Sequence, residues 1–170
     1  MLTVYALFAG GGVLDRVLGI GEYFIAEGIS DVLKIYALSA CVALTAYSPI
    51  KKILGMVHIA LPNSEIMQNR IIANPSYYAD TAVPLIINRL CLGFGCTKGE
   101  LEIRLFGGAQ PACENDTLNI GMRNTEMVES VLGRMNLRIC YSDTGGNMAR
   151  SIAADVATGA VKVVYQPLSI

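Results

Sequence analysis

The 170-residue sequence holds one histidine, His58, and only 16% of it is charged, with a net charge of −1. So weak a charge gives no basic surface to dominate attraction to a phosphate backbone, which argues against nucleic acid as a partner. None of the five cysteines, at 41, 91, 96, 113 and 140, belongs to a CxxC pair. With a single imidazole and only Cys91 and Cys96 near each other, at a helix end, neither a metal nor a cofactor is expected. An odd number of cysteines also argues against a disulfide framework and for a reduced, cytoplasmic protein. Repeats, low-complexity blocks and Ser/Pro-rich linkers are absent. Met1 to Leu14 carries no charge, yet it lacks the basic start of a signal peptide and falls short of the ~20 residues a spanning helix needs. It reads as an extra N-terminal strand or helix, or as an extension upstream of the true start, and direct membrane insertion is not expected.

What remains is a chain that is 53% hydrophobic and long enough for one domain with a sizeable core. Short apolar runs bounded by turn signals predict buried strands at Val32–Ser39, Val42–Tyr47 and Ile53–Ala60, with "SPIKK" at 48–52 as the turn between the last two. Asn74 suits a cap and Pro75 a first helical position. Ala82, Leu85, Ile86, Arg89 and Leu90 then follow helical spacing to a stop at Gly93 or Gly95, with Pro84 expected to kink or split the helix. "LEIRLFGG" at 101–108 reads as a strand running into a tight loop. A second helix is expected at about Arg123–Asn136, where Met127, Val128, Val131, Leu132 and Met135 make an apolar face. "LRICYSDTGG" and "AVKVVYQP" supply two more strands. The order predicts an α+β layered domain with helices packed on a mostly antiparallel sheet.

The stretch "ALSACVALTAYSPIKKILGMVHIALP" holds both Cys41 and the single imidazole. If "SPIKK" closes an antiparallel hairpin centred between Pro49 and Ile50, Cys41 and His58 face each other, close enough for the imidazole to reach the thiol. An imidazole that accepts the thiol proton turns a poor nucleophile into one that attacks acyl carbons. The alternative is that Cys41 is a small buried hydrophobe and His58 a satisfied strand histidine, and spacing by itself favours that alternative. A one-residue slip in register would place the two on opposite faces.

Further motifs change the balance. "IGEY" from Ile20, "ACVAL" around Cys41, "GMVHIALP" around His58, "YYADTAV" at 77–83, "LFGGA" at 105–109, "NIGMRN" at 119–124, "DTGGNMARS" at 143–151 and "GAVKV" from Gly159 stand in that order. Together they resemble the CheD family, the chemoreceptor glutamine deamidases of prokaryotic chemotaxis. The resemblance covers residues 20–170 as a single domain and leaves residues 1–19 as an N-terminal extension of unknown role. It implies a three-layer α/β/β sandwich with mostly antiparallel sheets and two main helices, as in the catalytic domain of cytotoxic necrotizing factor toxins. It also implies that receptor glutamine side chains are hydrolysed to glutamate through a thioester on Cys41 with His58 as base, with methylesterase activity in some members. The implied partners are the cytoplasmic helices of methyl-accepting chemotaxis receptors and a CheC-type phosphatase.

Two positions depart from the family pattern. Ser39-Ala40 stands where Gly-Ser usually precedes the nucleophile, and Ile35 stands where a threonine is the third catalytic member. The related toxins use a main-chain carbonyl in that role, so the carbonyl of Ile35 is the candidate to hold the second ring nitrogen of His58. Ser39, Gly107, Gly108, Gly121 and Asn124 are candidates for substrate contact, the glycine pairs reading equally well as tight turns. Asp143 and Arg150 are read as a structural ion pair, and Tyr77, Tyr78 and Asp80 as the start and packing of a helix. A rival reading from another class is a binding module for the phosphatase, which the losses at Ile35 and Ser39 would permit and the retention of Cys41 and His58 opposes.

Overall fold

A computed structural model describes residues 15–67, 74–110 and 118–168. Among them, nine strands form two sheets. The first, of four strands, runs β1 (Asp15–Val17), β3 (Val32–Leu38), β8 (Met148–Asp155), β9 (Val161–Pro167). The second, of five, runs β2 (Tyr23–Ala26), β5 (Ile53–Ile59), β4 (Val42–Ser48), β6 (Glu102–Gly107), β7 (Ile139–Thr144). Only β1–β3 and β6–β7 pair in parallel.

The layering follows from which residues alternate on β4 and β5. Val42, Leu44 and Ala46, with Ile53, Val57 and Ile59, pack against α1 (Ala79–Asn88) and α2 (Ile120–Arg134) through Ala82, Val83, Ile86, Val128, Val131 and Leu132. The intervening residues Ala43, Tyr47, Leu54 and Met56 face the other sheet, where Leu33, Ile35, Leu38 and Ile152 close a second core. Every residue of β4 and β5 is therefore buried, which is why both read as unbroken apolar runs. Helices, five-stranded sheet and four-stranded sheet stack in that order, so the molecule is the expected three-layer α/β/β sandwich.

Several element boundaries differ from the sequence reading. Strand β8, at the centre of the smaller sheet, and the short β1 and β2 were not expected. Helix α1 begins at Ala79 rather than Pro75, because Asn74 closes a turn instead: its Oδ1 accepts from the Ser76 amide (3.2 Å) and its carbonyl from the Tyr77 amide (3.1 Å). Pro84 does not split α1, whose buried Val83, Ile86 and Ile87 outweigh one missing main-chain bond; the helix ends in a π-helical turn at Arg89–Gly93. Helix α2 starts three residues earlier than expected and stops before Asn136, which takes a left-handed φ of 57°.

The hairpin register is also corrected. Pro49–Lys52 form a four-residue loop closed by the Lys52 amide on the Ser48 carbonyl (2.8 Å), with Lys52 at φ 57°, and Ser48 pairs with Ile53. His58 is consequently opposite Ala43, not Cys41. The slip amounts to two residues, and with a side-chain period of two it keeps the face expected for His58, which Ala43 shares and which an extended chain continued back to Cys41 would share as well.

Candidate active site

Cys41 ends the short link from β3 to β4, where the chain crosses from one sheet to the other. All three carbonyls of that link are tied down. Ser39 accepts from the Ala109 amide (2.7 Å), Ala40 from Asn124 Nδ2 (2.9 Å) and Cys41 from the Gly108 amide (2.9 Å). A trans peptide sets N–H and C=O antiparallel, so fixing the Ala40 carbonyl toward α2 turns the Cys41 N–H the other way. There it meets its own sulfur and favours the thiolate, although burial is the larger influence and pushes the thiol pKa up. The half-buried Cys41 side chain packs on the core between the sheets.

Gly107, Gly108 and Gly121 gather beneath this link. Gly107 sits at φ 104°, and a Cβ there would overlap the Cys41 carbonyl. A Cβ on Gly108 would lie 2.7 Å from Thr125 Oγ1 and 2.9 Å from the Gly121 carbonyl oxygen. One on Gly121 would be 2.5 Å from the Gly108 carbonyl oxygen. The "FGG" and "DTGG" loops are joined as well, by the Gly145 amide on the Gly107 carbonyl (2.9 Å) and the Gln110 amide on the Gly146 carbonyl (2.8 Å). Asn124 completes the arrangement with a second bond from Nδ2, to the Ala60 carbonyl (3.0 Å). One amide thus clasps the residue before the cysteine and the residue two beyond the histidine. Asn124 itself is fully buried, at 0% exposure.

His58 is the next-to-last residue of β5 and is buried, with Nδ1 lacking a hydrogen-bond partner among the described residues. Burial lowers its pKa; a hydrogen bond with the main chain at Leu18 and the charge of Glu22 oppose that shift without reversing it. Ile35, the expected source of a holding carbonyl, is fully buried and pairs with Ile152 in the sheet, whereas the main-chain hydrogen bond at the ring is with Leu18. Nothing in the sequence announced Leu18, which lies in the segment that carried no functional reading.

Burial thus favours the neutral form of both the Cys41 thiol and the His58 imidazole, the forms that general-base attack on an acyl carbon starts from. Among the described residues no three His, Cys, Asp or Glu side chains come together to hold a metal ion. Cys113 lies outside the described residues. Asp143 and Arg150 form the expected ion pair (2.9 Å), linking β7 to β8 across the two sheets, and Tyr165 donates its hydroxyl to the same carboxylate (2.7 Å). Tyr78 is buried at the start of α1, and Asp80 accepts from the Ser64 amide, so both serve the helix as expected.

A family model described as CheD chemotactic sensory transduction matches residues 60–165. A protein of Syntrophotalea carbinolica named "Probable chemoreceptor glutamine deamidase CheD" is 40% identical over 151 residues, 88% of this chain and 93% of that protein. The Desulforamulus reducens protein of the same name is 35% identical over 164 residues, 94% of this chain and 96% of its own. The Thermotoga maritima "Chemoreceptor glutamine deamidase CheD" is 35% identical over 150 residues, 88% and 91% of the two chains.

Proposed function

This chain belongs to the CheD family, and on that premise we propose that it is a chemoreceptor glutamine deamidase with Cys41 as nucleophile and His58 as base. The observation that supports the reading is that the half-buried Cys41 immediately precedes β4, whose Ala43 pairs with the buried His58, and that the imidazole Nδ1 has no hydrogen-bond partner among the described residues. His58 takes the thiol proton as sulfur attacks the carboxamide carbon, then gives that proton to the departing ammonia and leaves a thioester on Cys41. Water, deprotonated by His58, attacks the thioester; the C–S bond breaks, the thiol is restored, and glutamate is released. The Cys41 amide, turned toward the sulfur, is the oxyanion donor, a role typically worth about 3 kcal/mol.

Receptor glutamines on long helices would be recognised helix-in-groove, and a glutamate methyl ester would enter the same chemistry with methanol in place of ammonia. Such a substrate places the enzyme in the cytoplasm. No helix among the described residues is long and apolar enough to cross a membrane. The second reading, a binding module for a CheC-type phosphatase, is favoured by Ile35, whose side chain offers no hydrogen bond where the family places a threonine. Intact-mass spectrometry of receptor cytoplasmic fragments separates the two. The deamidase reading expects a gain of one dalton per modified site with the wild type and none with Cys41→Ala. Fragments unchanged by the wild type would leave the binding module.

A further inference from the structure

We propose that the turn Leu18–Glu22 is a strap that positions His58 for the reaction, with Glu22 as the positioning residue that holds it closed; its catalytic role rests on the deamidase reading above. The strap grips the histidine backbone from both sides. The Gly21 amide donates to the His58 carbonyl (2.8 Å), and the His58 amide donates to the Glu22 carbonyl (2.9 Å). The turn is closed on itself by the Gly19 amide on Glu22 Oε2 (2.9 Å) and by the Glu22 amide on the Gly19 carbonyl (3.1 Å). It is anchored at both ends. The Leu18 amide donates to the Lys34 carbonyl (2.8 Å), while Asn74 Nδ2 (2.7 Å) and Ser76 Oγ (2.6 Å) both donate to the Gly21 carbonyl.

So much hydrogen bonding to one five-residue segment of backbone fixes where Leu18 meets the imidazole, and a ring held by an acceptor on one side keeps one tautomer and one orientation. The charged groups around the ring are few. Glu22, on the strap, is the charged side chain whose influence reaches the ring. From β1 and β3, Asp15 and Lys34 neutralise each other at 2.6 Å, and Arg16 lies 4.2 Å from the centroid of the Phe24 ring. Strand β4 places Ala43 opposite the histidine, and Tyr23 of β2 faces the other core. Removing the Glu22 charge therefore takes away an anion that favours imidazolium, so the ring must titrate at lower pH.

The test uses the full chain, whose single histidine gives an NMR ring signal that needs no assignment when the purification tag contains no histidine. Glu22→Gln keeps an oxygen to accept from Gly19 and loses the charge; Glu22→Ala loses both; Glu129→Gln, exposed on α2, is the control. Glu22→Gln is expected to lower the His58 pKa with its ring ¹⁵N pattern unchanged. Glu22→Ala is expected to lower it and mix the tautomers, with kcat falling about tenfold and KM held. Titration and ¹⁵N pattern like wild type in Glu22→Gln, and in Glu22→Ala where that variant folds, would overturn the strap while deamidation by the wild type stood. Absence of deamidation by the wild type would overturn the reading beneath it, whatever the ring does.

Discussion

Replacing Asn124 by alanine tests whether one buried amide holds the proposed nucleophile and base in register. The substitution deletes the bonds from Nδ2 to the Ala40 and Ala60 carbonyls, 2.9 and 3.0 Å long, at a residue with 0% exposure. A hydrogen bond of this kind contributes about 0.5–1.5 kcal/mol net, and a carbonyl left buried without a donor costs about 1–3 kcal/mol, so the pair is worth roughly 2–5 kcal/mol. Against a total stability of about 5–15 kcal/mol, the variant stays folded but with a clearly lower urea midpoint. The second consequence is kinetic. With the Ala40 carbonyl released, the peptide carrying the Cys41 amide, the proposed oxyanion donor, is free to turn, and loss of such a donor costs ~10²–10³ in kcat. Because Asn124 is out of a substrate's reach, KM should hardly move. Asn124→Asp sharpens the test by keeping the shape while setting carboxylate oxygens against two carbonyls, and it should be no better than alanine. A folded Asn124→Ala enzyme with wild-type urea midpoint and wild-type kcat would refute the reasoning.

Gly107→Ala should cost at least about 1 kcal/mol through its φ of 104° and displace the Cys41 carbonyl, so kcat falls more steeply than the urea midpoint; equal retention of both would count against the packing beneath the nucleophile. Arg150→Met removes one partner of a buried pair, with side-chain exposures of 7% and 13%, and should destabilise by about 3–5 kcal/mol in urea, while adding Asp143→Asn should recover part of the loss. His58 has a folded-state pKa below its unfolded value, so the unfolded chain binds the extra proton first. Its contribution to stability is whole above the ordinary imidazole value and is lost as pH falls from there toward the folded value. Tm measured against pH should therefore fall more steeply over that window in wild type than in His58→Phe, and parallel curves would contradict the shift.

The sequence made the layered architecture legible because β4, β5, α1 and α2 carry strong patterns, but it set Cys41 opposite His58 where the register sets Ala43. The error came from the turn: "SPIKK" does not reveal that Lys52 adopts a left-handed conformation and lengthens the loop, and only an even slip preserves the facing. Strand β8 was invisible because "MARSIAAD" holds three alanines and a single β-branched residue, Ile152, and so shows little β-propensity. Gly107 and Gly108 were singled out as a glycine pair at a strand end, and Gly121 and Asn124 by resemblance, but their part in supporting the Cys41 link depends on contacts between segments some 80 residues apart, such as Asn124 to Ala40. Leu18 could not be read, and Glu22 was legible only as part of the "IGEY" motif, since main-chain bonding to His58 leaves no mark in the sequence.

The central claim is that sulfur at position 41 bonds covalently to the receptor glutamine while an imidazole at 58 moves the proton. Rapid acid quench of the enzyme with a receptor fragment, followed by peptide mapping, measures this directly. The account predicts an acyl adduct on the Cys41 peptide with the mass of ammonia lost, absent in Cys41→Ser and scarce in His58→Ala. Glutamine converted to glutamate at an undiminished rate by Cys41→Ala, with no adduct at any time point, would contradict it.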